Sequence, residues 1–186
     1  HGFGSLFLPL AIDAYGTITL EIYAKDDGGT MDGGKDTSIA QNVTVIITPR
    51  NDPPSFSFNT SLISSGMLDD IFEIIVDENG GNFVSYFTKN CTYPYRLDSY
   101  VLDVRPAAAN ISNEMAQQLS FEMDFIAGDL SIFQEGHLPK IDVTTGHLDF
   151  CLAPYRNGEA NFSIVLRDDN GTDCDGIDVT VPLAIR

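Results

Sequence analysis

Apolar and polar residues alternate in several short stretches of this chain. In residues 160–166, Phe162, Ile164 and Leu166 fall on one side of an extended backbone, while Asn161 and Ser163 fall on the other. This period of two predicts a β-strand with one buried face. Similar patterns predict strands around residues 18–24 and at 41–48, 70–76, 82–88, 99–104, 119–125 and 147–152, and residues 112–118 predict a short helix.

The spacing of these stretches predicts the fold class. Turn residues of the Gly, Asp and Asn type separate the predicted strands, and no long amphipathic helix interrupts them. Many short strands with such punctuation are typical of two antiparallel sheets packed face to face. We therefore expect an all-β protein with an antiparallel sandwich architecture.

Part of the sequence is repeated. Residues 15–30 align without gaps with residues 157–172, an offset of 142 that pairs Thr30 with Thr172. Further on, Val43-Thr-Val45 matches Val179-Thr-Val181 at a shorter offset, which predicts that the second copy lacks six loop residues. We infer that residues 1–50 are the C-terminal half of one repeat, 51–54 a linker, and 55–186 one nearly complete repeat.

Composition and charge narrow the function classes. The 186 residues include 10 Lys+Arg and 27 Asp+Glu, a formal net charge of -17. A nucleic-acid-binding protein, or one held on an anionic membrane, needs a clustered basic face that this chain cannot supply. Its apolar runs also fall short of the roughly 20 residues of a membrane span. We expect no nucleic-acid partner and no direct membrane insertion in this segment.

Glycosylation acceptors indicate the compartment. Asn-x-Ser/Thr triplets occur at Asn42, Asn59, Asn90, Asn110, Asn161 and Asn170, where average composition would give roughly one or two. The excess predicts an extracellular or cell-surface glycoprotein carrying N-linked glycans. The strand pattern further predicts that Asn42 and Asn161 point outward. The alternative is that a chain rich in Asn, Ser and Thr forms such triplets by chance.

Three cysteines, Cys91, Cys151 and Cys174, are the disulfide candidates. They lack the CxxC or Cys/His spacing of a zinc site. In a secreted chain they permit one intramolecular bond in three ways, and their positions do not decide between the pairs. The remaining thiol would either join another chain or be buried.

Several short motifs follow one another in a fixed order along nearly the whole chain. They are Asn51-Asp-Pro-Pro54, Val76-Asp-Glu-Asn-Gly80, residues 82–87, Glu114 with Gln118-Leu-Ser-Phe121, Thr145-Gly-His-Leu148, Asn157-Gly158 and Asp168-Asp-Asn-Gly-Thr172. In this order they resemble the cadherin-like, immunoglobulin-fold tandem repeats of large extracellular surface proteins, such as adhesins and mastigoneme-type flagellar-hair proteins. The resemblance implies seven-stranded immunoglobulin-like sandwiches strung end to end in a rod or filament.

The same resemblance implies calcium at the junctions between repeats. Asn51 and Asp52 match the linker motif, Asp168 matches the aspartate facing the preceding junction, and Glu78 matches the glutamate serving the next one. The pattern is incomplete, because Pro49 stands where the first linker aspartate belongs. The alternative is a linker that its prolines stiffen without a metal ion.

A second acidic cluster, Asp173, Asp175 and Asp178, is a further calcium candidate. It does not fit an EF-hand, because placing Gly176 at the obligatory glycine puts Pro182 where the bidentate glutamate belongs. Another type of calcium loop and a solvated hairpin turn both remain open.

Catalytic motifs are missing from the sequence. His1, His137 and His147 do not form HExxH, and no GxSxG segment occurs. We expect no enzyme. The expected function is a structural module of a multi-repeat extracellular assembly that includes neighbouring repeats and identical or related chains. The alternative is a recognition module that binds a carbohydrate or protein through loops at the end of a sandwich.

Overall fold

The structure, a computed structural model, describes residues 4–62, 71–76, 91, 93–107 and 113–186. The chain divides into two compact units, His1–Arg50 and Asn51–Arg186, called here the first and second unit. The described residues form β-strands and short 3-10 helices without an α-helix, so the all-β class is confirmed. Within these ranges there is no helix with the length and apolar character of a membrane span.

The first unit is built on one antiparallel hairpin. Strand β1 (Gly16–Ile22) pairs with β2 (Gln41–Ile47), and a loop containing the 3-10 helix Met31–Gly33 connects them. Leu20 lies opposite Val43, and Ile18 lies opposite Val45. Because side chains alternate along a strand, these four apolar residues share one face of the hairpin.

Nine strands occur in the described part of the second unit. They are β3 (Ser55–Phe58), β4 (Ile71–Phe72), β5 (Tyr93–Leu97), β6 (Val101–Arg105), β7 (Ser120–Gly128), β8 (Lys140–Ile141), β9 (Leu148–Leu152), β10 (Ala160–Arg167) and β11 (Leu183–Ile185). One sheet has the order β4-β11-β10-β7, a second has β5-β9-β8, and β3 pairs with β6. All pairs are antiparallel except β11 with β4.

Strand β10 confirms the alternation seen in the sequence. Phe162, Ile164 and Leu166 are buried, and the residues between them are half-buried. Phe162 and Ile164 belong to a core that includes aromatic and aliphatic side chains from the other strand groups, such as Phe58 and Phe150. The core therefore draws on every sheet of the second unit, and burying its apolar surface is the main stabilising contribution.

Several predicted elements differ from the structure. Residues 113–116 form a turn, which the Gln117 amide closes by donating to the Glu114 carbonyl at 3.0 Å, and the predicted helix is wrong there. The segment is too short to propagate a helix, and its polar groups bond to distant residues instead. The predicted strand 70–76 shortens to Ile71–Phe72, and the strand predicted at 82–88 lies outside the described residues. The structure also contains β5 (Tyr93–Leu97), which is absent from the predicted strands.

The turn between β8 and β9 depends on Gly146. Its φ is 70°, and a Cβ built there would lie 2.2 Å from the Val101 carbonyl oxygen. The Gly146 carbonyl accepts from the Val101 amide at 3.0 Å, so this turn is held against β6. Earlier in the turn, hydrogen bonds from the Thr145 amide and hydroxyl hold the pKa of Asp142 below its usual range.

Candidate functional site

The linker residue Asn51 is buried against the acidic loop 168–178. Its side-chain Nδ2 lies 3.0 and 3.2 Å from the two carboxylate oxygens of Asp168. The same nitrogen donates to the carbonyls of Gly171 and Ile177 at 3.2 and 2.9 Å. Asn51 is 4% exposed and Asp168 is also 4% exposed. The amide group therefore replaces solvent as the partner of a buried carboxylate.

The opposite end of the Asn51 amide is an acceptor. Its Oδ1 accepts from Gln117 Nε2 at 2.8 Å and from Asn170 Nδ2 at 3.2 Å. Donors therefore surround the oxygen and acceptors surround the nitrogen, which fixes the orientation of the amide. The backbone carbonyl of Asn51 also accepts from the Ile177 backbone amide at 3.0 Å. Asparagine is the side chain that meets both requirements in this space.

Two further contacts connect residues 114–118 to the linker and to the acidic loop. Glu114 is fully buried, and its Oε1 accepts from the Asp52 amide at 3.0 Å. Asp169 Oδ1 accepts from the Gln118 amide at 2.9 Å. Residues 114–118 thus close over the linker and the loop together. The sequence identified Glu114 only as part of a motif and did not reveal this role.

A partly exposed ionic group supports the end of the loop. Arg167 donates to Asp178 at 2.9 Å and to Glu122 at 3.0 Å. The hydrogen bond and charge of Glu122, followed by those of Asp178, raise the pKa of Arg167. Because these groups are partly exposed, each pair contributes little stability by itself. Together they hold the Asp178 carboxylate beside the Arg167 guanidinium.

Among the proposed calcium ligands that the structure describes, Asn51 and Asp168 are in contact, whereas the acidic cluster at 173–178 does not surround a common point. Asp173 and Asp175 lie exposed in the 3-10 helix Asp173–Asp175, Asp178 pairs with Arg167, and Glu78 lies outside the described residues. In the described ranges, no group of three or more His, Cys, Asp and Glu side chains is placed to hold a metal ion.

A calcium ion at Asp168 does not fit the contacts of the described residues. Calcium takes oxygen ligands, whereas the group facing the Asp168 carboxylate is the Nδ2 of Asn51. Asp52 reaches the site with its backbone amide, which is a donor. At this position the Asn51 amide supplies the hydrogen bonds to the buried Asp168 carboxylate. The calcium assignment stays a prediction from the sequence.

The first unit contains a loop of the same construction. The Asp26 amide donates to the Asp36 carbonyl at 2.8 Å, as the Asp168 amide does to the Asp178 carbonyl at 3.0 Å. Lys25 lies 3.5 Å from the Asp36 carboxylate, in the place that Arg167 takes beside Asp178. The two acidic loops therefore match in their closing contacts as well as in sequence.

The offset of 142 residues also continues beyond the loop. Leu20 pairs with Val43 in the first unit, and Phe162 pairs with Ile185 in the second. The predicted loss of six residues in the second copy is therefore wrong. The Val-Thr-Val match that suggested it reflects the general preference of strands for β-branched residues.

The structure selects one disulfide from the three possible pairings. Cys91 bonds to Cys151 of β9, with Cα atoms 5.9 Å apart, inside the usual range for a disulfide. Cys151 has no exposed surface, whereas Cys174 is exposed in the acidic loop and takes no part in this bond. The disulfide closes a segment with a sequence separation of 60.

The glycosylation acceptors differ in their surroundings. Asn42 and Asn170 are exposed, and Asn59 is half-buried. Asn161 is half-buried as well, and its Oδ1 is enclosed with no hydrogen-bond partner in the described structure. The outward orientation predicted for Asn161 is therefore only partial. Asn90 and Asn110 lie outside the described residues.

A concavity of about 330 Å³ opens near the start of β10. Core residues such as Phe150 and Phe162 form its base, and Arg156 and Arg186 lie among its lining residues. The Arg186 guanidinium donates to Glu73 at 2.7 Å, and this contact raises the pKa of Arg186. The described lining thus combines apolar core residues with charged side chains, of which Arg186 and Glu73 form an ion pair.

Searches against protein-family models, curated proteins and solved structures found no match to the chain. The resemblance to cadherin-like repeats therefore stays a prediction from the sequence motifs.

Proposed function

We propose that this chain is a structural module of a large, extracellular, glycosylated multi-repeat protein that builds a rod, filament or adhesive surface assembly. The observation that carries the proposal is the internal repeat: a hairpin and its acidic loop occur twice at a constant offset of 142 residues. Repeats of one supersecondary unit need neighbours to cover their apolar faces. The two copies differ in how far this requirement is met.

The second copy shows what covers such a face. Ile164 of β10 has no exposed surface, and it belongs to a core shared with β9 and β3. This shared core supports an immunoglobulin-like sandwich as the finer architecture. The equivalent residue of the first unit, Ile22, is 42% exposed. We expect a further sheet of the same kind, from a neighbouring repeat or a related chain, to cover the first hairpin.

The start of the second unit suits a module in a series. Asn51 is fixed inside the unit that it introduces, and Pro54 is buried two residues after Asp52. Proline limits the backbone to a narrow range of φ. A linker that is anchored and restricted in this way suits the start of a repeat that follows another in the chain.

The proposed compartment rests on two features. The Cys91–Cys151 disulfide is of a kind that persists in oxidising environments. Asn42, one of the six acceptors, is exposed, as N-linked glycosylation requires. Together these features support an extracellular setting.

The proposal is tested through the apolar face of the first hairpin. The double variant Ile18→Thr with Ile22→Thr makes this face polar and retains β-branched residues that suit a strand. Ile46→Thr is the matched control, because Ile46 is 71% exposed on the opposite face. Sedimentation velocity should show association of the unsubstituted chain with rising concentration.

The double variant should remain monomeric, and the control should associate like the unsubstituted chain. Equal behaviour of the two variants would contradict a face-specific assembly. A chain that is monomeric at every concentration would favour the alternative, a recognition module whose loops bind a carbohydrate or protein.

A further inference from the structure

The two acidic loops adopt the same backbone conformation. Thr30 and Thr172, which precede the 3-10 helices, have φ/ψ of -117°/14° and -112°/18°. The central residues Asp32 and Cys174 are both left-handed, at 52°/30° and 56°/37°. Left-handed backbone is uncommon outside glycine. The two loops therefore share an unusual backbone conformation at equivalent positions.

The internal hydrogen bonds of the loops match as well. Gly28 N donates to Asp26 Oδ1 at 2.9 Å, and Asn170 N donates to Asp168 Oδ1 at 3.0 Å. Ahead of the loops, the amide of Ala24 donates to Ser38 Oγ at 2.9 Å, as the amide of Leu166 does to Thr180 Oγ1 at 3.0 Å. The first loop is therefore held in this shape by its own contacts.

What differs is the occupant of the loop. In the second loop the Asp168 carboxylate, the Gly171 carbonyl and the Ile177 carbonyl all accept from the Asn51 amide. Their counterparts in the first loop are the Asp26 carboxylate and the carbonyls of Gly29 and Lys35. Asp26 is exposed, whereas Asp168 is buried. The first loop presents the same acceptors to solvent.

The glycine at the end of each loop favours a close approach of another chain segment. A Cβ at Gly176 would lie 2.8 Å from Asn51 Cβ and 3.2 Å from its backbone nitrogen. Gly34 occupies the equivalent position with nearly the same backbone angles, -59°/155° against -63°/160°. A Cβ at Gly34 would lie 3.1 Å from the Gly29 carbonyl oxygen and 3.2 Å from that of Met31, so the first loop itself favours glycine there.

We propose that the loop Asp26–Asp36 is a binding socket for an asparagine side chain carried by an extended linker segment of the Asn-Asp-Pro-Pro type. The chemistry that selects asparagine is the cluster of one carboxylate and two carbonyls around a single NH₂ group. Aspartate would bring a second negative charge to Asp26, and alanine would leave the acceptors without a donor. The inference deepens the proposed function and rests on it for the source of the linker.

The test is a titration followed by NMR on the full chain labelled with ¹⁵N. The probe is a capped peptide with the sequence of residues 47–56, and the control peptide replaces its single asparagine by alanine. The peptide should cause saturable shifts of the amide signals of Gly29, Gly34 and Lys35. The control peptide should bind at least about tenfold more weakly, the factor that corresponds to the loss of one good hydrogen-bonded group.

Two protein variants sharpen the test. Asp26→Asn keeps an oxygen that can accept from Gly28 N, so the loop retains its fold, but the variant removes the carboxylate that the peptide needs. Glu21→Gln makes the same change of charge on β1, outside the loop. Asp26→Asn should weaken binding about tenfold or more, and Glu21→Gln should leave it within about twofold.

Several results would overturn the socket. One is the absence of saturable shifts at the loop, and another is equal binding of the two peptides. Rapid hydrogen exchange at the Asp26 and Ser38 amides would show that the loop is not preformed. Shifts caused by calcium chloride but not by the peptide would make it a cation site. The sedimentation experiment on the hairpin face is independent, so failure of the socket and failure of the assembly proposal are distinguishable.

The source of the linker is resolved in the same system. If a second copy of the chain supplies it, raising the concentration of unlabelled chain should reproduce the peptide shifts, and the free peptide should reverse them. If only a neighbouring repeat in the same chain supplies it, the isolated peptide should bind while the added chain has no effect.

Discussion

Replacement of Asn51 by alanine is the most informative perturbation of the second unit. Its NH₂ group donates to the Asp168 carboxylate and to two carbonyls, and its oxygen accepts from Gln117 and Asn170. A hydrogen bond to a charged group contributes about 1.5–3 kcal/mol, and a neutral one about 0.5–1.5 kcal/mol. Allowing water to replace some of these contacts, we expect Asn51→Ala to lower the free energy of unfolding by about 3–5 kcal/mol.

Urea denaturation followed by far-UV circular dichroism measures this loss. The chain contains no tryptophan, so the backbone signal is preferable to fluorescence. The matched control is Asn157→Ala, because Asn157 belongs to the same unit and is exposed. Its effect should stay within about 0.5 kcal/mol. Both variants should keep the slope of the denaturation curve, since neither changes the surface exposed on unfolding.

A loss of unfolding free energy in Asn51→Ala no larger than in Asn157→Ala would contradict this prediction. Such a result would mean that the linker does not dock into the acidic loop in solution. Asn51→Asp gives a second check, because it keeps the volume of the side chain but places a second carboxylate against Asp168. We expect it to be at least as destabilising as alanine near neutral pH.

Three further predictions concern the second unit. Gly146→Ala should lower the free energy of unfolding by several kcal/mol more than Gly136→Ala. Both glycines have positive φ, but of the two only Gly146 would bring its Cβ onto a neighbouring backbone oxygen. Equal urea midpoints for the two variants would contradict this. Reducing Cys91–Cys151 should lower stability by about 4 kcal/mol, from the closure entropy of a loop of this length, and an unchanged melt in reductant would be inconsistent with the bond. The pKa of Asp142 is lowered in the folded state. The stability that ionised Asp142 contributes should therefore be complete above the unfolded pKa of about 3.9 and be lost as pH falls through the folded pKa. Asp142→Asn should flatten this acid limb of a plot of stability against pH.

The fold was predictable where burial is one-sided. In β10 the period of two is visible because alternate residues face the core. Strand β9 also alternates in sequence, with Leu148, Phe150 and Leu152 separated by Asp149 and Cys151. The pattern predicted this strand but not the burial of all its residues. Strand β5 was missed because Pro94 within it suggests a loop, although proline is tolerated where its missing donor is not needed.

The candidate site was predictable in its members but not in its chemistry. The sequence placed Asn51 and Asp168 together through the motifs of the cadherin-like resemblance. It did not show that the amide nitrogen faces the carboxylate, because that orientation depends on Gln117 and Ile177, which are distant in sequence. The choice of disulfide partners was likewise settled only by the pairing of β5 with β9.

The claim of an extracellular repeat module is tested most directly by mass spectrometry of the protein from its native source. Intact mass and peptide mapping, before and after enzymatic removal of N-glycans, report glycosylation and disulfide bonding together. We expect glycan mass at the exposed Asn42 and a pair of peptides joined by the Cys91–Cys151 disulfide. An unmodified chain in which all three cysteines react as thiols would contradict it.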